Sequence, residues 1–75
     1  MHENIIIVFF GGPMDGHEED RAATEGWNEV SMIHIRGSFY RCHGMSAGTG
    51  APPRLHFYHT TNDSLAPGET CRKII

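Results

Sequence analysis

Residues 30–43, VSMIHIRGSFYRCH, decide the fold. Ile33 and Ile35 alternate with Met32, His34 and Arg36; after Gly37-Ser38, Tyr40 and Cys42 alternate with Phe39, Arg41 and His43. Period-two patterning on both sides of a glycine-led pair marks an antiparallel hairpin with a two-residue loop. With Gly37 and Ser38 as that loop, Arg36 faces Phe39, Ile35 faces Tyr40, His34 faces Arg41 and Ile33 faces Cys42. One face is then Ile33, Ile35, Tyr40 and Cys42. The other, His34, Arg36, Phe39, Arg41 and His43, is mostly polar and turned to water.

Downstream, Arg54 to Thr60 repeats the alternation, so Leu55 and Phe57 join the apolar face while Arg54, His56 and Tyr58 join the polar one. Between the two, Gly44 to Pro53 holds small residues, glycines and prolines, a composition that predicts a mobile surface loop. Thr61 to Gly68 is turn-rich, and Thr70 to Ile75 is expected to add a short edge strand or to fray. Upstream, Asn4 to Phe10 is a continuous β-branched and aromatic run, which predicts a strand contacted on both faces. It stops at Gly11-Gly12-Pro13-Met14-Asp15-Gly16. Glycine freedom, the fixed φ of Pro13 and the Asp15-Gly16 pair predict a tight reversal there, with the Asp15 carboxylate bonded to amides inside the turn. A strand over about His17 to Arg21 returns from it. Residues 18–26 admit a second reading, a short helix ended by Gly26, but the stretch has no apolar stripe to bury.

The whole chain is 75 residues with 39% hydrophobic content and a formal charge of -3. A chain this short supports one small domain, residues 1–75, with a thin core and no room for a large enclosed active site. The six-residue apolar run is far below the roughly 20 residues that span a bilayer, so no membrane span is expected. No secretory signal is visible, and two cysteines, Cys42 and Cys71, read as free thiols; the expected compartment is the cytoplasm. Charge is divided unevenly. Residues 1–29 carry seven acids against Arg21 alone, whereas residues 30–75 carry five bases against Asp63 and Glu69. Attraction between the two halves within one fold is the first account of that split; a basic face open to an anionic partner is the second.

The opening strand running into Gly11-Gly12-Pro13-x-Asp15-Gly16, followed by turn-rich sequence and the late aromatic strand Leu55-His-Phe-Tyr-His59, resembles short uncharacterised bacterial and phage-associated proteins bearing a Gly-Gly-Pro-x-Asp-Gly motif. The close match covers twelve residues, Ile5 to Gly16. What the resemblance implies is an all-β architecture. It carries no activity.

The fold expected is therefore all-β: a small antiparallel sheet of five or six short strands curled into a barrel or compact sandwich, with α+β containing a helix near residues 18–26 as the alternative. Six histidines raise a metal reading, in which His34, His43 and His56 converge on the polar face. No recognised ligand spacing supports it, and Arg36 and Arg41 on that face discourage a dication. The glycine loop lacks the lysine and following helix of a phosphate cradle. No nucleophile signature surrounds Cys42 or Ser46, and no cofactor is called for. Arg36, Arg41 and Arg54 with Phe39 and Tyr58 form a basic, aromatic sheet face of the kind that binds single-stranded nucleic acid or another anionic ligand. The leading expectation is a non-enzymatic protein-interaction or structural accessory module, in its concrete form a homodimer by strand addition marked by Trp27, Met32, Phe39 or Tyr58.

Overall fold

The computed structural model describes residues 3–74. Six strands, β1 (Asn4–Phe10), β2 (Glu18–Ala22), β3 (Met32–Ile35), β4 (Ser38–Gly48), β5 (Ala51–Thr60) and β6 (Cys71–Ile74), form one sheet in the order β2-β1-β5-β4-β3-β6. The sheet curls into a half-barrel. The all-β expectation holds, but the strict antiparallel pattern does not: β1 pairs β5 in parallel, and β3 pairs β6 in parallel. Both parallel pairs join segments far apart in sequence, where alternation says nothing about strand direction. Residues 18–26 contain no α-helix. Glu18–Ala22 pairs with β1, and Ala23–Glu25 and Trp27–Glu29 are single 3-10 turns. A segment without an apolar stripe is held here by ladder bonds instead.

Inside the curl, Ile5, Ile7 and Phe9 of β1, Leu55 and Phe57 of β5, Tyr40 of β4, and Ile33 and Ile35 of β3 meet Met14, Trp27 and Val30 in one core. Cys42 packs against it, half-buried. The β3–β4 loop differs from the sequence reading. Ile35 faces Ser38 and Ile33 faces Tyr40, so the loop is Arg36-Gly37, both at positive φ (51° and 75°), as a type I′ turn requires. Moving the loop back one residue shifts each cross-strand partner by two. The inward set, Ile33, Ile35, Tyr40 and Cys42, is therefore unchanged.

Residues 44–53 are not the loop that composition suggests. The β4–β5 ladder continues through Met45 opposite Leu55 to Gly48 opposite Ala51, broken by irregularities between Cys42 and Met45 and between Ser46 and Gly48. Pro52 and Pro53 fall between the Gly48–Ala51 and Ser46–Arg54 pairs, and β1 joins β5 only from Arg54 onward. Neither proline stands where a ladder N–H is needed, which is how a central strand admits them. The bulges also sharpen the local twist that curls the sheet.

The glycine turn closes the core at one end. Gly12–Met14 is a 3-10 turn, Asp15 Oδ1 accepts the Gly11 N–H at 2.7 Å, and Met14 is buried beneath it. Tyr40 Oη donates to the Gly11 carbonyl (2.7 Å) and accepts the Met14 N–H (2.9 Å). A β-carbon on Gly12 would stand 2.6 Å from the His59 ring and 2.7 Å from Tyr40 Oη, at φ +62°. Only glycine fits that approach.

Candidate functional site

Register assigns the side of the sheet that faces away from the core. Phe10 lies beside Tyr58 and Tyr58 beside Arg41; Val8 lies beside His56, and Ile6 beside Arg54. Residues of this parity look outward because their neighbours Phe9, Phe57 and Leu55 fill the core. Phe10 and Tyr58 stack with ring centroids 4.8 Å apart and a 17° interplanar angle, yet remain 36% and 40% exposed. The His56 ring meets the edge of Phe10 at 5.6 Å, and His43 leans on Tyr58 at 6.0 Å. Ser46 Oγ and His56 Nε2 share a hydrogen bond of 3.2 Å. The result is a small aromatic and imidazole patch on adjoining strands.

The arginines expected to make this face basic are otherwise engaged. Arg41 Nη1 donates to both Glu69 carboxylate oxygens at 2.9 Å, and its Nη2 donates to the Ser64 carbonyl at 2.6 Å. Glu69 also accepts the Ala66 N–H at 2.7 Å. That bond first, and Arg41 second, hold the Glu69 carboxyl below the ordinary glutamate range. The same contacts draw residues 61–70 toward the outer face beside β3, where Met32, directly opposite Arg41, is fully buried. Arg54 Nη2 donates to Glu18 Oε2 on β2 at 2.6 Å. Arg36 sits in the hairpin turn and not on the sheet face.

Nor do the histidines converge. His34 stacks on Phe39 (4.4 Å, 10°) on the β3–β4 hairpin, while His56 contacts Phe10 and Ser46 on the other side of β4. Among the described residues no group of three His, Cys, Asp or Glu side chains is arranged to hold a metal ion. His2 lies outside the described residues. The contact set Trp27, Met32, Phe39 and Tyr58 also divides: Trp27 and Met32 are buried, Phe39 is half-buried and Tyr58 is exposed. Phe10 was absent from that set. Its parity with Ile6 and Val8 was the available signal, hidden because a continuous apolar run invites burial of every member.

A second region lies where the half-barrel stays open. Trp27, between the outermost strands, has the Arg72 guanidinium 4.2 Å and that of Arg21 5.3 Å from its ring centroid. Its Nε1–H donates to Glu25 Oε1 at 2.9 Å, and Arg72 Nη2 donates to the Glu25 carbonyl at 2.7 Å. Arg21 on β2 and Arg72 on β6 thus meet at one buried indole, joined by cation–π attraction where no strand pairing joins them. Next to it an open groove of about 390 Å³ runs between His17, Glu19 and Arg21 on one bank and Ile35, Arg36 and Ile74 on the other. Its charges are largely self-satisfied. Burial works to raise the Glu19 carboxyl, but hydrogen bonds and charge from Arg21 and His17 outweigh burial and lower its pKa.

Comparison with family models, with curated proteins and with solved structures returns no match for this chain.

Proposed function

We propose that this chain is a non-catalytic interaction module that binds a protein partner through the outer-face patch of Phe10, Tyr58, His43 and His56. The observation that supports this reading is the stacked Phe10–Tyr58 pair, left open on a sheet face whose flanking arginines are spent on carboxylates of the same molecule. An aromatic pair presented on a stiff sheet loses little conformational entropy on binding, and its rings bury against an apolar side chain of the partner. His43, His56 and Ser46 form a polar rim that exchanges hydrogen bonds with the partner's main chain. An anionic or nucleic-acid ligand gains less here, because Arg41 and Arg54 would have to leave Glu69 and Glu18 to reach a phosphate.

The test places a photo-crosslinking amino acid at position 46, beside the stacked pair, and compares captured proteins with those from a chain also carrying Phe10→Ser. The reading expects a discrete adduct that disappears with Phe10→Ser while the near-ultraviolet signal of Trp27 is unchanged. Equal capture by both chains, or salt-sensitive oligonucleotide binding that persists in Phe10→Ser, overturns it.

A further inference from the structure

The two outermost strands carry opposite charge, and among the described residues no strand pairs with either on its outer side. The turns of residues 25–30 stand beside β6 but bond Thr70 and Arg72 through the side chains of those two residues only. β2 reads Glu18-Glu19-Asp20-Arg21-Ala22, and β6 reads Cys71-Arg72-Lys73-Ile74. Charges on an edge ordinarily keep a second strand away. Here they differ in sign between the edges, so like edges repel and unlike edges attract.

Main-chain geometry defines what each edge offers. Met32 N–H donates to the Thr70 carbonyl at 3.0 Å with Met32 opposite Cys71. In a parallel ladder this turns the N–H and C=O of Arg72 toward β3 and those of Cys71 and Lys73 away from it. On β2, Ala23 N–H donates to the Glu3 carbonyl, and the antiparallel register continues through Ile5 opposite Arg21 and Ile7 opposite Glu19. The main-chain groups of Glu18, Asp20 and Ala22 therefore point outward. Glu18, Asp20, Cys71 and Lys73 are all exposed. Among the described residues neither Asp20 nor Lys73 has an ion-pair partner.

Strand direction is also compatible. Following the pairings from β2 across to β6, the two edge strands run in opposite directions. A second copy continuing the sheet in the same sense lays its β2 antiparallel to the first copy's β6. We infer that this chain self-associates head to tail, the β6 edge of one copy pairing with the β2 edge of the next. The matching register sets Lys73 opposite Glu18, which also holds Arg54, and diagonal to the unpaired Asp20 of the neighbouring copy; Cys71 stands opposite Asp20, and Arg72, seated on its own Trp27, stands opposite Glu19, which holds Arg21. It joins outward main-chain groups to outward main-chain groups. Sliding by two residues would set Arg72 against Arg21 of the neighbour. Symmetric pairing of β2 with β2, or of β6 with β6, sets like charges together. A heterologous contact leaves one edge free at each end, so assembly continues until a ring closes or a filament grows. This open-ended pairing differs from the closed homodimer by strand addition expected from sequence, and it leaves Phe10 and Tyr58 uncovered.

Sedimentation velocity on the full chain tests it. At low ionic strength, where surface charges reach furthest, mass should rise past the dimer as concentration increases toward about 1 mM, and should fall back at about 0.5 M salt. Lys73→Glu and Glu18→Lys should each sediment as monomers, and mixing them in equal amounts should restore association. Asp20→Pro, which removes an N–H that faces no strand of its own molecule, should also stop growth. A native chain that stays monomeric, association indifferent to salt, a closed dimer that survives the single substitutions, or a mixture of two variants with native Trp27 signals that fails to associate overturns the inference. Should the charge variants fail to fold, the salt dependence of the native chain and the Asp20→Pro variant decide.

Discussion

The inner face of the sheet buries Ile7, Phe9, Ile33, Tyr40 and Phe57 completely, whereas the outer face buries Val8 and Met32 and leaves Phe10 and Tyr58 in the open. Both faces use period-two side chains from the same strands. They differ in what closes over them. On the inner side, the curl and the Trp27 indole exclude water, and Arg21 and Arg72 seat the indole. On the outer side a single turn-rich connection, fastened by Arg41 to Glu69 and to the Ser64 carbonyl, reaches part of the sheet. A sheet this small shields one face fully and the other only in part.

The contrast is broken most severely by removing the inner cover. Trp27→Ala should cost about 3–5 kcal/mol, a large share of what so short a chain possesses, and chemical denaturation should show most molecules unfolded or close to it. Next comes the polar contact inside the core. Tyr40→Phe keeps the ring but leaves the Met14 N–H and the Gly11 carbonyl without their partner, a loss of about 1–3 kcal/mol measurable as a lower midpoint in urea.

The outer cover should respond to pH. Because the folded pKa of Glu69 lies below its unfolded value, its contribution is complete above the unfolded glutamate pKa of about 4.3, and is lost as pH falls through the folded value. Protection against hydrogen exchange in residues 61–70, taken relative to intrinsic exchange at each pH, should therefore fall on acidification ahead of protection in β1 and β5, and Arg41→Gln should produce the same local loosening at neutral pH. Uniform loosening of the whole sheet would show that the connection is no separate cover. The smallest effect belongs to the uncovered patch. Phe10→Ser with Tyr58→Ser should cost about 1 kcal/mol at each site, less than the loss of a fully buried ring, because 36% and 40% of these residues already face water. A loss several times larger would mean that the patch belongs to the core.

Much of this arrangement was legible before any coordinates. Ile33, Ile35, Leu55 and Phe57 share a face because alternation is a local property, indifferent to where the partner strand lies. Even the misplaced hairpin loop left their orientation intact, since a one-residue move of the turn changes partners by two. The partners of the arginines on the polar face were not legible, for the opposite reason. Arg41 meets Glu69 across 28 residues and Arg54 meets Glu18 across 36, and no local pattern says which carboxylate a guanidinium will reach. Likewise Pro52 and Pro53 carry a strong loop signal, overruled because the neighbouring strand arrives only after them.

The amino-acid sequence by itself determined the strands outside residues 44–53, the inward set and the tight Gly11–Gly16 reversal, since each depends on residues within a few positions of one another. Tertiary structure alone decided that β1 joins β5 and β3 joins β6 in parallel, that Trp27 fills the space between the two sheet edges, and that Phe10 and Tyr58 remain bare. Those outcomes depend on which distant surfaces meet. Their energies come from shared burial and long-range charge pairing, and such terms exist only once the chain has closed on itself.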